Sequence, residues 1–88
     1  MSRTLSRDDA DTVVRTALRG FASDAELAAL ARAEPLRAAL DLDSLDFLTF
    51  VEKLTRATGV RIDEADYPQL VSIDSCVEFL TTAVGTSR

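Results

Sequence analysis

Residues Leu40 to Phe50 read LDLDSLDFLTF, a stretch in which a polar loop gives way to an apolar run and Ser44 stands between the carboxylates of Asp43 and Asp46. Phe47, Phe50, Val51, Leu54 and Thr58 fall on one side when about 100° is allotted per residue, so the spacing predicts a helix from Ser44 to near Thr58 with that side in the core. Gly59 supplies the residue that takes a left-handed conformation after the last turn. Asp43 or Ser44 is the expected N-cap, a role worth about 1 kcal/mol and sufficient to explain either residue. It does not explain the opposite face, where Leu45 and Leu48 share the outward side with Thr49, Glu52 and Arg56. Two leucines beside a helix N-terminus and ringed by carboxylates are what a docking surface needs. The free N–H groups and positive dipole end of that terminus also suit a phosphodiester esterified to Ser44.

Outward from this helix, three more are read from apolar spacing and caps. Ser6 is a candidate N-cap with Asp8 and Asp9 in the first turn, and Ala10, Val13, Val14, Ala17, Leu18 and Phe21 mark one face of a first helix. Ser23 followed by Glu26 matches a capping box, which predicts a short helical piece over AELAALARA inside a long connection that stops before Pro35. Asp63 caps one short turn, EAD, because Pro68 biases Tyr67 away from helix. Ser72 caps a last helix with Ile73, Cys76, Val77, Leu80 and Val84 on one stripe and Gly85 as its stop. The expected fold is all-α: a small four-helix bundle with a long first loop and a short third helix.

The chain has 88 residues, three Gly and two Pro, which suits one ordered helical domain over residues 1–88 with an ordered core from about residue 6 to 85. Its single Cys and absence of His exclude an intramolecular disulfide and a zinc cluster, and point to a reducing, cytoplasmic setting. No apolar run resembles a signal peptide or a membrane span. The net charge of -5 is carried by the second half: residues 1–40 hold six basic and six acidic side chains, residues 41–88 four basic and nine acidic. Such a surface disfavours nucleic acid and favours basic protein partners.

Two enzyme-like or metal-like readings of Ser44 fail on composition. Without His and without a G-x-S-x-G elbow there is no serine hydrolase. Counted from Asp41, a calcium loop would have acidic groups at positions 1, 3 and 12 (Asp41, Asp43, Glu52), but position 5 is Leu45 and the Gly required at position 6 is Asp46.

The segment LDLDSLDFL resembles the D-S-L motif of acyl carrier proteins, whose serine carries 4'-phosphopantetheine. Without gaps, the spacing of Leu36, Leu40, Asp43-Ser44-Leu45, Phe50, Leu54, Ile62, Leu70, Ile73, Val77 and Phe79 follows the carrier pattern, and the first helix fits as well, so the resemblance spans nearly the whole chain. It implies a non-enzymatic, monomeric carrier, and with Met1 opening the chain and no linker or second domain following, a stand-alone one is expected. A phosphopantetheinyl transferase would move the group from coenzyme A to Ser44, and its thiol would present an acyl or related group to acyl-loading and acyl-processing enzymes of fatty acid, polyketide or related biosynthesis. The resemblance further implies that Asp43 assists the Mg²⁺-dependent transfer, that Leu45, Asp46, Leu48, Thr49, Glu52 and Arg56 dock partners, and that Val51, Leu54, Ile62, Leu70 and Cys76 line an acyl pocket. Ordinary core packing is the alternative for these last five. The chain departs from the pattern at Asp41, where many carriers have Gly, at Thr49, Lys53 and Arg56, which make the second helix less acidic than in fatty acid carriers, at Glu52, where an apolar contact is usual, and at Tyr67, where a small residue is usual. The competing reading is an unmodified helical interaction module in which Ser44 serves only as a cap.

Overall fold

The computed structural model describes residues 5–86, and side chains up to residue 82. The elements in order are α1 (Arg7–Leu18), α2 (Asp24–Ala29), α3 (Leu36–Ala39), α4 (Ser44–Thr58), a 3-10 helix η1 (Glu64–Gln69) and α5 (Ile73–Thr86). No strand occurs among the described residues, and the all-α bundle expected from the sequence is present.

Each long helix begins at a polar side chain that satisfies one of its own free N–H groups. Ser6 accepts from Asp9 N–H at 3.0 Å ahead of α1, and Ser72 accepts from Ser75 N–H at 3.2 Å ahead of α5. Ser23 and Glu26 form the reciprocal capping box of α2. Gly59 closes α4 with φ 74°, its N–H donating to Thr55 O. Helix α1 lays Ala10, Val14, Ala17 and Leu18 against α5 and α4, and α4 contributes Phe47, Phe50, Val51 and Leu54. Ile73, Cys76, Val77 and Leu80 of α5 complete the core. Val13 and Phe21, expected on the α1 face, pack half-buried at its edge.

Three features depart from the sequence reading. The long connection contains an extra turn of helix, α3, capped by Pro35 without a side-chain bond and too short for apolar periodicity to reveal. The short third helix extends beyond EAD through Pro68 to Gln69: Asp66 N–H donates to Asp63 O and Leu70 N–H to Tyr67 O, so neither of these 3-10 bonds asks for the N–H that proline lacks. Gly85 does not stop α5, which runs on to Thr86, since glycine weakens a helix interior by only about 1 kcal/mol relative to alanine. The side chain of Val84 lies outside the described residues.

The first loop is fastened to the start of α5. Leu36, fully buried, donates its N–H to Val71 O at 2.7 Å, and Asp74 N–H donates to Arg32 O at 3.0 Å. Arg32 also pairs with Asp74 at 2.8 Å and with Asp11, which in turn pairs with Arg15. The hydrogen bond to Asp74, then the charge of Asp11, raise the Arg32 guanidinium above its ordinary value. These contacts hold the loop that delivers the chain to Ser44.

Candidate functional site

The chain enters α4 through Asp41 in a left-handed conformation, φ 55°. Aspartate tolerates that region better than most residues, which is how it replaces a glycine there. Asp43 is the N-cap. Its Oδ1 accepts from Asp46 N–H at 2.8 Å, and the Asp46 carboxylate receives the Asp43 N–H at 3.4 Å, so the two close a reciprocal box. Of the two candidate caps, Asp43 takes the role, and Ser44 occupies the first helical position, exposed, with its hydroxyl making no hydrogen bond to any described residue. The local structure therefore makes no demand on that hydroxyl.

Beyond Ser44 the helix separates into the two faces read from its spacing. Phe50 and Leu54 are fully buried, and Phe47 and Val51 nearly so. Leu45 is 74% exposed and Leu48 43% exposed, while Thr49, Glu52 and Arg56 are exposed beside them. Thr49 turns its hydroxyl inward along the helix, donating to Leu45 O at 3.0 Å. Glu52 and Arg56 form no ion pair among the described residues, although they stand four residues apart. Asp46 is half-buried and committed to the capping box, which distinguishes it from the other five residues expected on the docking face.

The five residues expected to line an acyl pocket are not brought to one opening. Val51 and Ile62 meet in a shallow groove of roughly 370 Å³ whose rim includes Leu48, Arg56 and Tyr67. Leu70 instead touches a second groove of roughly 280 Å³ beside Phe47, Tyr67 and Val71. Leu54 and Cys76 are sealed in the core. Burial pushes the Cys76 thiol up to about 12, so it remains a neutral apolar filler. Tyr67 contributes to both grooves and meets Phe47 edge to face at 5.3 Å between ring centroids.

One residue that sequence reasoning missed stands beside the serine's helix. Arg37 lies with its guanidinium carbon 5.6 Å from the Phe47 ring centroid, and its Nε approaches Leu42 O at 3.5 Å. Nothing in the spacing of Arg37 points to this position, because the four-residue turn α3 that presents it is too short for apolar periodicity to reveal.

A family model described as phosphopantetheine attachment site matches residues 13–80. Comparison with curated proteins found no match, and neither did comparison with solved structures.

Proposed function

Because this chain belongs to the phosphopantetheine attachment-site family, and so is a phosphopantetheine carrier, we propose that Ser44 is the attachment residue and that the protein presents acyl or related groups to enzymes of fatty acid, polyketide or related biosynthesis. The observation that carries the reading is the division of labour at the helix start: Asp43 does the capping, which leaves the Ser44 hydroxyl exposed and unbonded among the described residues. The residues fit the group. A phosphodiester on Ser44 would meet the positive end of α4 in open solvent, with Leu45 exposed next to it.

When bound, the group supplies a thiol that holds the cargo as a thioester. In its attachment the Ser44 oxygen would form a bond to phosphorus while the pyrophosphate bond of coenzyme A breaks, with adenosine 3',5'-bisphosphate as the leaving group and the hydroxyl proton going to a base on the transferase. Asp43 would assist with its second carboxylate oxygen: Oδ1 is committed to the cap, and Oδ2 would help hold the Mg²⁺, which would screen charge on the phosphoryl group. Leu45 and Leu48 give partners an apolar anchor, and Glu52 and Arg56 add charges of both signs that select among them. The whole of residues 1–88 serves as one carrier domain.

The test is intact-mass spectrometry after incubation with coenzyme A and a broad-specificity phosphopantetheinyl transferase. Wild type gains one phosphopantetheine. Ser44→Ala gains none and stays helical by circular dichroism; a full mass gain in that variant assigns the attachment elsewhere.

A further inference from the structure

We propose that Arg37 pairs with the phosphodiester on Ser44 and so fixes the root of the phosphopantetheine arm over the groove beside Phe47; the inference rests on the attachment proposed above. The capping box surrounds Ser44 with the carboxylates of Asp43 and Asp46. A phosphodiester there adds another negative charge to the same helical turn, and the Asp46 N–H already donates to Asp43. Like charges within a few Å repel, so the site calls for a cation.

Arg37 meets that need. Phe47 is three residues beyond Ser44, a neighbour on the helix surface, and the Arg37 guanidinium lies over its ring. Arg15, Arg19, Arg32 and Arg61 each have a carboxylate partner, whereas Arg37 has none among the described residues. Its one polar contact among the described residues is the long 3.5 Å approach of Nε to Leu42 O, which leaves the two terminal nitrogens for an anion. Two other cations without a carboxylate partner among the described residues, Arg56 and Lys53, are poorly placed. Arg56 is twelve residues along α4, about 18 Å up its axis, and Lys53 is held over the Phe21 ring at 5.1 Å.

The groove supports the same assignment. Its wall is formed by Pro35, Phe47, Tyr67, Pro68 and Val71 with Arg37 as the charged member and no carboxylate in the lining. A planar guanidinium backed by an aromatic face and facing apolar surface is suited to grip two phosphate oxygens at once. Val71, 48% exposed in the same lining, offers apolar surface to the part of the arm that follows the phosphate.

The experiment compares apo and holo forms of wild type, Arg37→Gln and Arg37→Lys at low and high salt. Intact mass first establishes that each protein carries the group. Absence of any mass gain on wild type defeats the attachment itself, and a gain followed by the results below judges Arg37 alone. Modification of wild type leaves the melting temperature unchanged or raises it, whereas modification of Arg37→Gln lowers it by about 2–4 °C relative to its own apo form, the scale of one surface charge interaction in a domain of this size. Arg37→Lys falls between them, and 1 M NaCl removes the differences. The phosphorus-31 resonance of the holo protein shifts between wild type and Arg37→Gln. Equal apo-to-holo changes in all three proteins, or an unmoved phosphorus resonance, overturn the proposal. Should Arg37→Gln fail to fold, the phosphorus resonance of the wild-type holo protein moves with added salt if the pair exists and stays fixed if it does not.

Discussion

Two polar regions of this surface are built in opposite ways. Along the seam between the first loop and α5, nearly every polar group has a partner in the fold: Asp11 receives Arg15 and Arg32, Arg32 reaches on to Asp74, and the backbones join at Leu36 with Val71 and at Asp74 with Arg32. Along the outward face of α4, Leu45, Leu48, Glu52 and Arg56 have exposed side chains with no ion pair among the described residues. The first region uses its charges to hold the chain in place. The second leaves its side chains in solvent, and the ordinary logic of folding gives no reason for its two exposed leucines.

The contrast holds only while both regions stand on one core, so the largest effect is expected beneath them. Leu54→Ala, on the inner side of α4, should destabilise the protein by about 2–5 kcal/mol in urea unfolding, a large share of the stability of a domain this small. A cost below about 1 kcal/mol would mean that α4 does not rest on the core in solution.

Cys76 tests whether that core is dry where α5 carries the seam. Burial pushes the folded thiol up from an ordinary 9.0 to about 12, so between those values the unfolded chain gives up a proton that the folded chain keeps. Stability should therefore be unaffected by this group below pH 9 and fall as pH rises through the window, by up to about 1.4 kcal/mol per pH unit. Cys76→Ala removes this component, and melting curves from pH 8 to 11 should be less steep in pH for the variant than for wild type. Identical slopes would place water at the thiol.

The seam itself should give a smaller, salt-sensitive response. Asp11→Asn breaks two ion pairs at once and is expected to lower the melting temperature by a few degrees at low salt and by less in 1 M NaCl. Glu52→Gln on the open face should do nothing to the melting temperature at either salt concentration. Equal responses from the two would erase the distinction drawn here.

The smallest change in stability is expected at the open face, where the functional effect is greatest. Leu45→Ala or Leu48→Ala should shift stability by no more than about 0.5 kcal/mol, yet slow modification by the transferase and loading by partner enzymes about tenfold. Replacing Thr49 and Arg56 together by Glu should raise malonyl loading of holo protein by a fatty acid malonyl transferase, with the melting temperature held. An unchanged loading rate in that double variant would show that these positions do not choose the partner.

The same contrast explains which parts of the structure were legible from residues alone. Caps are local chemistry, so Ser6, the Ser23 and Glu26 pair and Gly59 could be read directly, with Asp43 one of two candidates beside Ser44, and a fifteen-residue helix is long enough for its inner and outer faces to separate by spacing. The seam joins residues 21 and 42 positions apart, Asp11 with Arg32 and Arg32 with Asp74, and no local pattern encodes such partners. Helix α3 has four residues, less than a repeat of the apolar pattern, which hid both the turn and the placement of Arg37. The pocket expected around Val51, Leu54, Ile62, Leu70 and Cys76 shows a related limit: spacing assigns residues to a face, but packing decides that Leu54 and Cys76 fill the interior while Val51 and Ile62 reach a groove.

The reciprocal box of Asp43 and Asp46 has a consequence for inheritance. Because the helix start is secured by the aspartates, a lineage that lost Ser44 would keep its folded protein and forfeit only what the hydroxyl does. One that lost Asp43 would give up a cap worth about 1 kcal/mol together with the oxygen set beside the serine. Adjacent codons thus carry different liabilities: mutation at Ser44 is judged by the chemistry alone, and mutation at Asp43 by the chemistry and the fold together.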